Sequence, residues 1–168
     1  MAGPRTAFNV HLEPLPGAHI LVVEGRYYGS IADALLEGAR RVLDAAQVEW
    51  DIVTVPGALE VAQAVAMAFD APIHARRMPY DAIVALGCVI RGETSHYEIV
   101  AGESARALMD LAVRHRVPIG NGILTVDTPA QAKVRADPDE GDKGGVAATA
   151  ALALVHVKRH LQNPRGEP

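Results

Sequence analysis

Aromatic residues are scarce in this sequence, at 4% of 168 residues. A chain so poor in large rings and so rich in alanine packs helices closely and does not build a β-sandwich. Cysteine occurs once, at Cys88, which excludes an internal disulfide and fits a reducing compartment. Long apolar runs are missing too. The greasiest stretch, 146–155, is alanine-rich, interrupted by Thr149 and too short to span a bilayer. The opening residues carry no apolar signal-peptide core, so a cytoplasmic protein with no membrane partner is expected. An excess of positive charge is absent as well. The formal net charge is −4, and no basic stripe with interleaved aromatics offers a nucleic-acid footprint. The pairs Arg40-Arg41 and Arg76-Arg77 read as solvated faces.

What is present suits one domain covering 1–168. Hydrophobic residues make up 49%, enough for a full core. Residues 1–18 carry three prolines and a short β-capable piece at 8–12, and read as an N-terminal arm suited to pairing with another sheet edge. The α/β core then occupies 19–163. Strands are predicted at 20–23, 50–55, 81–86 (closed by Gly87) and 118–125. Between them lie helical patterns. One follows residues 24–30, with Ile31, Leu35, Val42 and Ala46 on one face, and a second runs from the turn at Pro56-Gly57 through Met67. A loop is expected at 70–79. A third helix starts near Tyr97 behind the N-cap candidates Thr94 and Ser95, with Val100, Ala107, Leu108 and Leu111 at helical spacing. Thr128-Pro129 opens a short fourth helix. A last one, about 145–160, shows Val146, Ala150, Ala153, Leu154, Val157 and Leu161 in register. This alternation predicts a three-layer α/β/α sandwich around a mainly parallel, flavodoxin-like sheet.

Several chemistries can be set aside. The seven histidines are scattered without metal-ligand spacing, so no metal site is expected. Cys88 ends a buried strand and reads as a small apolar filler. No G-x-S-x-G elbow and no Walker-type loop exist, and Gly120-Asn121-Gly122 lacks the third glycine of a dinucleotide fingerprint. What remains lies at the carboxyl ends of successive strands, where open α/β sheets bind ligands. Tyr27 offers an aromatic plate, whereas Tyr28 reads as cover for the core edge. Glu60 offers an acceptor for several ligand hydroxyls, although a carboxylate in a first helical turn is stabilising in its own right. The turn 91–96 offers backbone and hydroxyl donors at a helix start, and His96 an imidazole able to take and give a proton. Arg135 and Lys143 add cations; a guanidinium suits bidentate phosphate contact. The inventory suits an aromatic polyol and a phosphate.

At these residues the sequence resembles the lumazine synthase family of riboflavin biosynthesis. The segments that carry the resemblance are V-P-G-A-L-E (55–60), A-L-G-C-V-I-R-G-E-T-S-H-Y-E (85–98), G-I-L-T (122–125), Gln131-Ala132 and D-K-G-G (142–145), in order. The resemblance implies condensation of 5-amino-6-ribitylamino-uracil with 3,4-dihydroxy-2-butanone 4-phosphate to 6,7-dimethyl-8-ribityllumazine, with no cofactor. It implies that Tyr27 stacks on the pyrimidine, where the family usually has Phe or Trp. Ala58, Leu59 and Glu60 would hold that substrate, and Cys88, Val89 and Ile90 line its ring pocket. Glu93 and Thr94 would meet the phosphate, and His96 transfer protons. Arg135 would bind phosphate from a neighbouring subunit or across the interface, with Lys143 supporting that end of the pocket. Asn121 stands where many members place an aromatic ring, and cannot stack equally well. The resemblance also implies a homopentamer with sites at subunit interfaces, which in some members packs further into a 60-subunit shell. Here the acidic, proline-containing turn 137–141 opposes packing between pentamers. Readings outside this family are a flavin or lumazine carrier, a shell with an inactive pocket, and a flavodoxin-like electron carrier.

Overall fold

The computed structural model describes residues 13–70 and 80–164. The element order is β1 (His19–Gly25), α1 (Gly29–Ala45), β2 (Glu49–Val55), α2 (Ala58–Asp70), β3 (Ala82–Ile90), α3 (His96–His115), β4 (Ile119–Val126), α4 (Pro129–Ala136) and α5 (Lys143–Gln162). The strands form one sheet in the order β2-β1-β3-β4, and every neighbouring pair is parallel.

Alternation along the strands sorts the core into two halves, because successive side chains leave a strand on opposite faces. Ile20, Val22, Val84 and Leu86 pack with Ile31 and Leu35 of α1, Ala132 of α4 and Ala147, Ala151 and Leu152 of α5. Leu21, Val23, Ile83 and Ala85 pack with Val61, Ala62 and Val65 of α2 and Leu108 of α3. The three-layer α/β/α sandwich is therefore the observed architecture. β1 and β3, covered on both faces, are almost wholly buried, as their unbroken apolar runs require.

Of the segment read as an arm, residues 1–12, with the β-capable piece at 8–12, lie outside the described residues, as do 71–79 of the expected loop. Leu15 and Ala18 are buried against the α1 side of the core, and the Leu15 N–H donates to the Ala46 carbonyl at 2.9 Å.

Two expectations are corrected. Gly87 does not close β3, which continues to Ile90. β4 runs alongside with Gly87 opposite Ile123 and Cys88 opposite Leu124, so the ladder keeps rewarding extended backbone. The second correction concerns α5. Val146, Leu154, Val157 and Leu161 are 45–71% exposed, whereas Gly144, Ala147, Ala148, Ala151, Leu152 and Val155 face inward. The reason is close approach. A Cβ on Gly120 would run into the Ala147 carbonyl, and one on Gly144 into that of Leu35. At those two crossings of α5, with β4 and with α1, there is no room for a side chain on Gly120 or Gly144.

Candidate active site

The sheet order reverses at β1. Its successor β2 lies on one side and β3 on the other, with α1 on one face of the sheet and α2 on the other. Such a switch point leaves a crevice at the carboxyl ends of the strands. A cavity of about 440 Å³ lies there, lined from three strand–helix junctions. The first contributes Tyr27 and Tyr28, the second 56–60, and the third Cys88, Val89, Ile90, Gly92, Thr94, His96, Tyr97 and Val100.

Each junction has a local cause. Gly25 ends β1 where a Cβ would meet the Gly57 backbone at 2.8 Å, so the first two junctions touch only because that residue is glycine. The Arg26 N–H donates to the Val55 carbonyl at 3.0 Å and ties the same two strand ends together. Tyr27 projects from this tie, 75% exposed, with its ring edge-on to Tyr28 at 4.9 Å between centroids. α2 begins at Ala58, and its first three residues all line the cavity. α3 begins at His96, one residue before the sequence expectation. Two helix N-termini therefore converge on one volume, each with N–H groups that lack an intrahelical acceptor.

The cavity lining contains one imidazole, one carboxylate, the Thr94 hydroxyl, one thiol and three tyrosines, and no lysine or arginine among the described residues. Burial pushes the Cys88 thiol up to about 11, so it stays protonated at neutral pH and is a poor nucleophile. Burial, then the neighbouring Cys88 and Tyr27, raises the Tyr28 phenol above its ordinary value. Tyr28 therefore presents a protonated hydroxyl and not a phenolate. No cluster of three His, Cys, Asp or Glu side chains able to hold a metal occurs among the described residues. No helix of the described residues is long and apolar enough to cross a membrane.

The structure brings together Tyr27, Ala58, Leu59, Glu60, Cys88, Val89, Ile90, Thr94 and His96 in this one cavity. Four residues of the sequence inventory do not line it. Glu93 is exposed in the turn before α3. Asn121, exposed on the edge strand β4, folds its side-chain oxygen onto the Ile123 N–H at 3.0 Å. Arg135 is exposed on α4, where its guanidinium donates to the Gln131 carbonyl at 3.3 Å. Lys143 is the first residue of α5. Tyr28, Pro56, Gly57, Gly92, Tyr97 and Val100 line the cavity without having been singled out as site residues. Tyr28, Gly57, Gly92 and Tyr97 each adjoin a residue chosen for its chemistry, whereas Pro56 and Val100 carried no such signal. Tyr28 also packs on the core edge as expected.

A parallel sheet of this order with a ligand-sized cavity at its switch point defines a flavodoxin-like α/β protein that binds small molecules. Comparison with known proteins narrows that class. The family model for 6,7-dimethyl-8-ribityllumazine synthase matches residues 17–159. The chain is 60% identical to the 6,7-dimethyl-8-ribityllumazine synthase of Azorhizobium caulinodans over 147 residues, 88% of this chain and 90% of that one. Its identity to the protein of the same name from Rhodopseudomonas palustris is 55% over 161 residues, covering 96% and 98% of the two chains. The Nitrobacter hamburgensis protein of that name is 56% identical over 161 residues, with the same coverage. The chain belongs to the 6,7-dimethyl-8-ribityllumazine synthase family.

Proposed function

We propose that this protein is a 6,7-dimethyl-8-ribityllumazine synthase acting in riboflavin biosynthesis, and that the cavity at the ends of β1, β2 and β3 is its active site. It condenses 5-amino-6-ribitylamino-uracil with 3,4-dihydroxy-2-butanone 4-phosphate, releasing phosphate and water. The observation that carries this reading is the assembly of Tyr27, Glu60, Thr94 and His96, contributed by three separate junctions, in one cavity.

The chemistry follows from those groups. Tyr27 is an exposed plate on which the pyrimidine stacks. Glu60 accepts hydrogen bonds from ribityl hydroxyls, and backbone groups of 88–90 border the ring. The primary amine attacks the ketone, and each dehydration needs one proton delivered and one removed. Among the described residues of the lining His96 carries the one imidazole, a group that can both accept and donate a proton. Helix N-termini and the Thr94 hydroxyl receive the phosphate, with Glu93 contributing backbone donors. Holding both substrates together supplies much of the acceleration.

Elimination of phosphate calls for cations, and the lining has none among the described residues. That absence supports a site completed by a neighbouring copy of the chain, with Arg135 on the phosphate, Lys143 beside it and Asn121 near the pyrimidine. The assembly proposed is a homopentamer, and the acidic turn 137–141 opposes its packing into a 60-subunit shell. The protein acts in the cytoplasm and takes small-molecule substrates without a cofactor. The test is lumazine formation from the two substrates, followed by fluorescence above the uncatalysed rate, with wild type and Arg135→Ala. Rapid formation by wild type and slow formation by the variant support the reading. No acceleration by the folded oligomer overturns it.

A further inference from the structure

Helix α3 carries His96 and Tyr97 into the cavity, yet its start lacks an ordinary oxygen cap. Ser95 occupies the N-cap position and its side chain makes no capping bond. The nearest substitute is Thr94, whose Oγ1 accepts from the His96 N–H at a long 3.4 Å. A first turn held so loosely frays unless something else restrains it.

Arg91, the residue after β3, supplies that restraint. Its Nε donates to Asp127 Oδ1 at 3.0 Å, just beyond the end of β4. Its Nη1 donates to Glu98 Oε1 in the first turn of α3. The guanidinium carbon lies 4.0 Å from the centroid of the Tyr97 ring, in cation–π position. The Arg91 N–H meanwhile donates to the Val126 carbonyl at 2.9 Å, so the base of the side chain is fixed to β4. Arg40 and Arg106 make their ion pairs along a single helix, whereas Arg91 joins three chain segments. The contacts are reciprocal. Glu98, then Asp127, holds the guanidinium above its ordinary value, and Arg91 lowers the Glu98 carboxyl.

We propose that Arg91 is a positioning residue for the reaction: by gripping Glu98 and stacking on Tyr97, it fixes the first turn of α3 and so sets where His96 stands in the cavity. The inference rests on the synthase reading of that cavity. It also says what Arg91 is not. Two carboxylates already bond the guanidinium, so Arg91 is not the free cation that a substrate phosphate needs.

The test compares wild type with Arg91→Met and Arg91→Lys in steady-state lumazine formation and in backbone hydrogen exchange. Lysine keeps the charge but lacks the planar fork that bonds two carboxylates while stacking. Both variants are expected to lose about tenfold in kcat with each KM within about twofold, since small misplacements of a reacting group cost that much. Exchange at amides 98–101, the first to be bonded within α3, is expected to quicken about tenfold while the β3 amides keep their protection. The melting temperature is expected to fall by about 3 °C or less, as befits exposed pairs. A tenfold rise in KM for the phosphate substrate at constant kcat would overturn the inference, because Arg91 would then touch phosphate. Unchanged kcat and exchange would overturn it too. If Arg91→Met does not fold, Glu98→Gln and Asp127→Asn each remove one arm of the grip and are read the same way. Should wild type form no lumazine above background, the synthase reading fails by itself, and the exchange comparison still decides whether Arg91 holds the turn.

Discussion

Arg26 Nη1 donates to both carboxylate oxygens of Glu24, at 3.2 and 3.1 Å, and Glu24 is only 3% exposed. The Thr54 hydroxyl donates to the same carboxylate at 2.9 Å, and Arg26 also reaches Asp33 in α1. The pair therefore anchors the junction from which Tyr27 projects. Its two halves are unequal, because Arg26 keeps access to water and Glu24 does not. Arg26→Met leaves a buried carboxylate with one hydroxyl donor and is expected to lower stability by about 3 kcal/mol. Glu24→Gln keeps an acceptor for Thr54 and is expected to lower it by about 1 kcal/mol. Urea midpoints of the two variants decide, and equal losses would show that Glu24 is not the buried partner at risk.

The close approach of α5 gives a second expectation. Gly120→Ala and Gly144→Ala each place a methyl on a backbone carbonyl that has no soft side chain to move aside. Overpacking of this kind typically destabilises by about 1–3 kcal/mol. Gly102 in α3 has open space around its would-be Cβ, and Gly102→Ala is expected to gain up to about 1 kcal/mol from helix propensity. Thermal unfolding of the three variants should split them by sign.

A pH-dependent expectation comes from Asp142. It caps α5 by accepting from the Gly145 N–H at 3.0 Å, in a left-handed conformation with φ 38°. Burial raises its carboxyl above the ordinary value, a shift that the Gly145 bond partly offsets. A raised folded-state pKa favours the folded protein fully below the unfolded value, and that contribution is lost as pH rises through the folded one. Asparagine caps as well, tolerates the left-handed backbone and carries no charge. Asp142→Asn is therefore expected to stabilise the protein at pH 7 and to lose that advantage at about pH 3. A larger advantage at the lower pH would reverse the sign of this account.

For His96 the expected loss is partial. His96→Ala removes proton transfer worth about a hundredfold or more in kcat and leaves both substrates held together, so a rate above background persists. Complete loss of catalysis in a folded variant that still binds both substrates would contradict this division of labour.

Much of the architecture was legible in the sequence because each strand is an apolar run bounded by turn residues, and each helix announces its period. Thr128 was legible for the same reason, and its side chain does cap α4, accepting from the Gln131 N–H at 3.2 Å. What escaped depends on partners distant in the chain. The inward face of α5 is chosen by Gly120 and by the Leu35 carbonyl, so alanine goes in and Val157 and Leu161 go out, against the hydrophobic ranking. Gly87 looks like a strand end until β4 is laid beside it. The lining residues 58–60, 88–90, Thr94 and His96 could be grouped from the sequence because strand ends at a switch point must meet. Arg135, Lys143 and Asn121 sit on α4, α5 and β4, outside the cavity lining, a placement that no local pattern in the sequence reveals.

The measurement that bears most directly on the cavity as the active site is the pair of Michaelis constants of Glu60→Ala against those of wild type. Glu60 touches the volume assigned to the pyrimidine substrate and lies on a separate element from the turn assigned to phosphate. The account predicts a KM for the ribitylamino-uracil raised by about tenfold, from lost hydrogen bonds to its hydroxyls. The KM for the butanone phosphate should stay within about twofold of wild type. Unchanged constants for both substrates, in a folded and active variant, would place the chemistry somewhere other than this cavity.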